Sequence, residues 1–425
     1  MAKSGLTTSN NISPTRYPAR SEELKRYVRK GIPAEWRGNA WFFFAKGPDK
    51  LRENPGVYDH LVEQTMDMVN ENTEAIEKDL HRTFPENIHF NDIVKNDPIS
   101  GKPIEQESAL LQTLRRVLKC FARYKPSIGY CQSLNFITGL LLIFLDEEKA
   151  FWMLVIITER LLPGIHDMNL EGVNVHQGVL LLCIREYIPS LWPIINKSRN
   201  NFLYDLPPLS FCTTSWFMSI FVGVLPIETT LRVWDCLFYE DSKAIFQVSL
   251  AIFKGLEPSI LKLANKTKND FDSQNGHTHH TTNNNKLKLK FNKDKSKNIN
   301  SFGYDDGDEE DEDDSYLAAE LFQIIQNSPK RMLDANELLE QSFKFGVYNK
   351  LSQDEIRTCK KYVIETRSRY HELIQRRSKN LNEDDRRRFL RESDDILGSK
   401  RVGLKSLNWN GKLNNRMRRI QHKLK

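Results

Sequence analysis

Three short stretches of the chain combine polar side chains with backbone demands that ordinary helix packing does not make. In IEKDLHRTFP, residues 76–85, Ile76 and Leu80 lie four apart on one inward face. Asp79 and Arg82 lie three apart, close enough on a helix for the carboxylate to hold the guanidinium. Pro85 disfavours helix in the residue before it, which ends the helix at or near Phe84 and leaves Arg82 in its last turn. A planar cation there either settles on the helix's open carbonyls or points outward at a partner. In SIGYCQSLNFITGLL, residues 127–141, Gly129 breaks the chain, Tyr130 can anchor in the core and Gln132 comes just before an apolar helix. Its amide can cap, stay in water, or accept and donate at the same time. In GIPAEWRGNAW, residues 31–41, Gly31 and Pro33 suit a turn and a helix start. Arg37 and Trp41, four apart, suit a guanidinium stacked on an indole that holds two helices together.

Other chemistries find no support in the sequence. A nucleotide-binding enzyme needs a glycine-rich loop leading from a strand into a helix, and neither GxxxxGK[ST] nor GxGxxG occurs. The chain is therefore expected to hold no nucleotide of its own. His277, His279 and His280 offer metal-ligand atoms, but they sit in an Asn- and Thr-rich run with nothing to orient them, so no metal is assigned. No GxSxG elbow is present, and the cysteines fall in apolar segments, where a buried thiol is inert.

The elements that must position the three stretches read as helices. From Glu22 to about Leu263 one helical pattern follows another: Leu110, Leu114, Val117, Leu118 and Phe121 recur at helical spacing, with Arg115, Arg116 and Lys119 on the other side. No stretch alternates with period two, so the expected class is all-α, with many short-to-medium helices punctuated by prolines and no strands. Residues 1–21 are polar and expected to form a flexible lead-in, 22–264 the main domain. Residues 265–314 run through NGHTHHTTNNN, KLKLKFNKDKSK and DDGDEEDEDD, and read as a disordered insertion. Helical periodicity resumes over 315–348, where Leu317, Leu321, Ile324 and Ile325 suit one face and Leu333, Leu338, Leu339 and Phe343 another. These helices should pack back onto the main domain. Residues 349–425 read as a charged helical extension, with a weak seam through Ile356, Cys359, Val363, Tyr370 and Leu373, and a basic tail.

The whole-chain numbers are consistent with this layout. With 425 residues, 39% of them apolar, the chain can build a large core. Its six cysteines show no CxxC spacing and no signal peptide is apparent at the first residues, so a reducing, cytoplasmic location is expected. The longest apolar run, Phe136 to Leu145, falls well short of the roughly 20 residues that a bilayer crossing needs, and reads as a buried helix. The net charge of +6 is unevenly placed, acidic near 305 and basic after 375. A nucleic-acid binder would need a recognisable module or stacking platform that is missing here, and contact with an anionic membrane accounts for the same charge.

Taken together and in this order, the three stretches resemble the signature segments of the TBC domain, the GTPase-activating module for Rab GTPases. Arg37 and Trp41 match its first block, Ile76, Asp79 and Arg82 its IxxDxxR finger, and Tyr130 and Gln132 its YxQ finger. The resemblance continues through residues 211–240, with Trp216, Phe217, Pro226, Arg232, Trp234 and Asp235. It spans about Gly31 to Phe345 once the insertion is set aside, and within the family the sequence is similar to fungal members associated with exocytic and endosomal Rabs. Two features depart from the pattern: Ser133 stands where the family commonly has Gly after the finger Gln, and the 265–314 insertion has no counterpart in its compact form.

The resemblance implies a multi-helical TBC fold and a catalytic activator rather than an enzyme with its own substrate pocket. Arg82 would stabilise the charge on the transferring phosphoryl group, and Gln132, supplied in trans, would orient the attacking water. Asp79 would orient Arg82, Tyr130 would support the Gln132 loop, and Arg37 with Trp41 would brace the fold. GTP and magnesium would belong to the partner, a GTP-bound Rab.

Overall fold

A computed structural model of the chain describes residues 14, 17–91, 93–96, 103–196, 202–204, 206–276, 312–343 and 351–379. Among them the architecture is all-α apart from one short hairpin, and local sequence explains several helix ends. Helix α1 (Glu22–Lys30) starts where the Ser21 hydroxyl accepts from Leu24 N, and stops at Gly31, whose φ of 110° is open to glycine. Pro33 launches α2 (Ala34–Phe44), which is followed by the short α3 (Gly47–Glu53) and α4 (Val57–Thr65). Helix α5 (Glu71–Leu80) opens with a capping box between Asn70 and Thr73. A two-stranded antiparallel hairpin then interrupts the helices, β1 (Ile93–Asn96) pairing with β2 (Pro103–Gln106) so that Ile93 faces Gln106 and Asn96 faces Pro103. This corrects the expectation of no strands. Four residues per strand are too few to show a period-two pattern, and backbone pairing rather than side-chain alternation defines them.

The centre of the molecule is built from α6 (Ala109–Tyr124), α7 (Leu134–Phe144), α8 (Glu147–Ile156), α9 (Glu171–Tyr187), α10 (Trp192–Ile195), α11 (Ser210–Met218), α12 (Ile227–Glu240) and α13 (Lys243–Gly276). Helix α6 buries Leu114, Val117, Leu118 and Phe121 as its spacing predicts, with Leu110 at the margin. Helix α7, the apolar run, is packed inside through Leu134, Ile137, Leu140 and Leu141. The stretch Lys243–Thr267 of α13 is long and apolar enough to cross a bilayer, yet 67% of its most apolar window lies buried inside the fold, as in a central core helix.

The chain ends pack more closely than composition suggested. Residues 17–21, assigned to a flexible lead-in, are strapped down: the Tyr17 ring sits against Phe43 and Phe44, Arg20 donates to the carbonyls of Phe44 and Phe238, and Ser21 N donates to the Tyr239 hydroxyl. One ring and one guanidinium accomplish this, which an average over polar residues does not register. Helix α13 continues past 265 to Gly276 and α14 (Glu312–Asn327) begins at Glu312. The rest of the expected insertion, with His277, His279 and His280, lies outside the described residues, as do residues 1–13 and the basic tail from 380 onward.

Helices α14 and α15 (Ala335–Phe343) pack back on α13, bonded by Thr229 to the Met332 carbonyl and by Arg232 to Asn336. Leu333, assigned to an inward face, instead sits 77% exposed in the turn between them. The last helix among the described residues, α16 (Gln353–Lys379), is no loose extension: Ile356 and Val363 are fully buried against α9. Arg367, 1% exposed, donates to Glu171 and to the Leu203 carbonyl. A buried Arg makes a packed helix look like a charged one in sequence.

The Asp235 carboxylate joins the first and later helices. It accepts from Ile32 N at 2.9 Å, from the Trp41 indole at 2.8 Å and from Arg37 Nε at 3.4 Å, while Arg37 also reaches Glu228 at 3.0 Å. Arg37 and Trp41 therefore meet on a shared carboxylate, which replaces the expected stack of one on the other. Trp41 then packs against Trp234, Phe238 and Phe144. Burial raises the Asp235 carboxyl to about 6, against the opposing pull of Arg37, the Ile32 amide and the Trp41 indole. Asp235→Ala leaves Arg37 buried without this partner and should lower the unfolding free energy by about 3–5 kcal/mol in a denaturant titration. The folded carboxyl holds its proton more tightly than the unfolded one, so between pH 3.8 and about 6 the folded state binds the extra proton. The stability of wild type relative to Asp235→Asn should therefore decline as pH rises through that window.

Candidate functional site

The site grows from the C-terminal end of α5. Ile76 and Leu80 bury one face of this helix and carry Asp79 inward with them. The helix ends at Leu80, and Arg82 lies two residues beyond it, in turns closed by Arg82 N to the Asp79 carbonyl and Thr83 N to the Leu80 carbonyl. The sequence placed Arg82 inside the last turn. The i→i+3 bonds end the helix sooner, and the left-handed backbone of Phe84 (φ 51°) before Pro85 redirects the chain. Asp79 pairs with Arg82 as the spacing required, and the two side chains are 6% and 60% exposed. The cation is thus tethered at its base and open on its outer side.

The second segment meets the first on the same carboxylate. The Tyr130 hydroxyl donates to Asp79 Oδ2 at 2.7 Å, and Tyr130 N donates to the Asn72 side chain at 2.8 Å, so one helix grips both ends of this residue. Gly129 precedes it at φ 64°, where an added Cβ would lie 2.7 Å from Asn72 Oδ1. Burial pushes the Tyr130 phenol upward despite the nearby Arg82, so it remains a donor at any physiological pH. Cys131 is buried and its thiol is pushed up to about 12, which leaves it unreactive.

Gln132 follows, partly exposed, on the turn into α7, and among the described residues its side-chain amide makes no hydrogen bond within the chain. Ser133 occupies the helix start at φ 99°, the left-handed region that favours glycine, so the residue standing in the family's usual Gly position keeps a glycine-like backbone. Its hydroxyl donates to the Met218 carbonyl at 2.9 Å, beside His166, whose ring nitrogen lies 2.8 Å from the same oxygen. Burial lowers His166 to about 4, so the ring is neutral and donates there.

Of the six residues singled out by sequence, Asp79, Arg82 and Tyr130 therefore form one bonded unit, with Gln132 carried two residues beyond Tyr130 on the adjoining turn. Arg37 and Trp41 do not join it: they hold α2 to α12 at Asp235. Sequence reasoning missed Asn72, Thr83, Asn135 and His166. Asn135 left a signal, since it is a polar residue inside the otherwise apolar LNFITGLLLIF. The others gave none, because their roles arise from distant partners.

The scaffold thus offers an Arg held by a buried Asp and a Gln on an adjoining turn. Comparison with known proteins identifies the group. Residues 34–261 match the family model described as the Rab-GTPase-TBC domain. The chain is similar to the GTPase-activating protein GYP3 of Saccharomyces cerevisiae, 45% identical over 404 residues, covering 87% of this chain and 58% of that protein. It is also similar to the GTPase-activating protein MSB4 of the same yeast, 45% identical over 380 residues, covering 85% of this chain and 72% of that one. In fold it is similar to the crystal structure of the Chlamydomonas flagellar RabGAP TBC domain, with a TM-score of 0.51 at 23% identity, covering 77% of this chain and 86% of that one. The chain belongs to the Rab-GTPase-TBC domain family.

Tyr130→Phe removes the phenol proton from a buried carboxylate and should cost about 1.5–3 kcal/mol of unfolding free energy, measured by urea denaturation.

Proposed function

We propose that the chain accelerates GTP hydrolysis on a GTP-bound Rab-family GTPase, with Arg82 and Gln132 delivered in trans as arginine and glutamine fingers. The observation that carries this reading is the pairing of an outward-facing cation with a buried carboxylate that is itself bonded to the segment bearing a free amide. As the γ-phosphoryl group leaves, negative charge spreads over its oxygens, and a cation already oriented there stabilises the transition state more than the ground state. Arg82 is oriented by Asp79, so little ordering is left to do on docking. The Gln132 amide can accept from the attacking water and donate to the partner's backbone. Nucleotide and magnesium belong to the partner. On this reading the chain acts in the cytoplasm and ends the active state of a Rab in vesicle-mediated transport, exocytosis included. Its basic tail after 375 would then meet an anionic leaflet.

The test is single-turnover GTP hydrolysis across a panel of Rab GTPases with wild type, Arg82→Ala, Arg82→Lys and Gln132→Ala, each checked for folding by circular dichroism. Wild type should accelerate at least one Rab, and Arg82→Ala should lose about a thousandfold or more of the rate, the scale of arginine fingers in general. Arg82→Lys should recover little, because the planar fork is gone. Gln132→Ala should lose most of the acceleration. A wild-type chain that binds GTP-loaded Rabs and accelerates none would be a scaffold instead.

A further inference from the structure

Thr83 follows Arg82, Ser133 follows Gln132, and one side chain ties the two together. Asn135, 1% exposed, donates from Nδ2 to Thr83 Oγ1 at 2.9 Å and accepts at Oδ1 from Ser133 N at 3.2 Å. Thr83 Oγ1 in turn donates to the Asp79 carbonyl at 2.8 Å. The result is a second link between the two finger segments, separate from the bond between Tyr130 and Asp79. Thr83 and Ser133 are themselves buried, so water does not replace these bonds when they break. A carboxamide inside a helix as apolar as α7 is unfavourable unless its bonds are made, and here they are made between the two segments. The surroundings keep the link short. Phe84 and Ser133 both have left-handed backbone, and an added Cβ at Gly139 would lie 2.9 Å from Thr83 Cγ2, so α7 passes directly against the Thr83 turn.

We propose that Asn135 is a positioning residue: its bond to Thr83 holds the two finger segments at one separation, so that Arg82 and Gln132 arrive at the partner's nucleotide as a unit. The proposal rests on the Rab-activating reading above. Asn135 touches neither partner nor nucleotide and acts through the residues that follow each finger. Two groups placed in advance avoid separate ordering in the transition state, so losing the link should reduce turnover more than binding.

Three variants separate this role from a purely structural one. Thr83→Val removes the acceptor with little change of shape, Thr83→Ser keeps it, and Asn135→Ala removes both Asn135 bonds. With a responsive GTP-loaded Rab varied in concentration, Thr83→Val and Asn135→Ala should lower the saturating rate by up to about a hundredfold. The half-saturating concentration should stay near wild type, and Thr83→Ser should restore the rate. The double variant should fall little further than the worse single one, because both break the same bond. Amide hydrogen exchange without any GTPase should rise in residues 80–84 and 129–134 together in both variants, and stay at the wild-type level in α13. Full additivity, an unchanged saturating rate, or faster exchange in one segment alone would overturn the proposal. If wild type accelerates no Rab, the activation reading fails, and the exchange measurement alone decides whether Asn135 couples the segments.

Discussion

Asp79 is a carboxylate almost wholly removed from water, and burying such a group is costly unless donors surround it. Here the donors are the Arg82 guanidinium and the Tyr130 phenol, which come from segments about fifty residues apart in the chain. The same interaction that satisfies the carboxylate aims the cation outward and docks the Gly129–Tyr130 turn, which sets where Gln132 emerges. The rest of the site follows from this requirement. Asn72 holds the turn from one end of α5, Thr83 and Asn135 hold it from the other, and Ser133 anchors the start of α7 to the Met218 carbonyl.

A second buried carboxylate plays the corresponding part for the scaffold. Asp235 collects the Ile32 amide, the Trp41 indole and the Arg37 guanidinium, and so fixes how the first helices lie on α12. Burying such an ionic group is a poor source of net stability, because desolvation offsets most of the attraction. What it supplies is a single arrangement: donors from three places must converge or the charge is left unpaired. The tryptophan cluster around Trp41 then contributes the apolar burial that holds the arrangement closed. The late helices join this frame through a buried, bonded cation: Arg367 of α16 donates to Glu171 at the start of α9 and to the Leu203 carbonyl.

Much of the fold was legible in the chain. Helical periodicity located α6, the apolar run from Phe136 to Leu145 located α7, Gly31 and Pro33 marked a helix start, and the spacing of Asp79 and Arg82 foretold their contact. Other features were hidden for identifiable reasons. The β1–β2 hairpin is too short for a periodic signal, and Leu333 fell in a turn where periodicity has no meaning. Residues 17–21 and α16 looked polar because their anchoring groups, Arg20 and Arg367, are charged side chains whose partners are backbone carbonyls and a distant Glu171.

The sequence by itself determined the helical class, a few helix starts, the polar stretches around Asp79 and Tyr130 and the i,i+3 pairing of Asp79 with Arg82. All of these depend on residues close enough in the chain for local geometry to bring them together. Only the tertiary structure decided that Arg37 and Trp41 converge on Asp235, that Tyr130 completes Asp79, and that Asn135 bridges the residues after Arg82 and Gln132. Each of these depends on a buried polar group whose partner lies tens to hundreds of residues away, and the need for that partner becomes visible only once packing has excluded water from it.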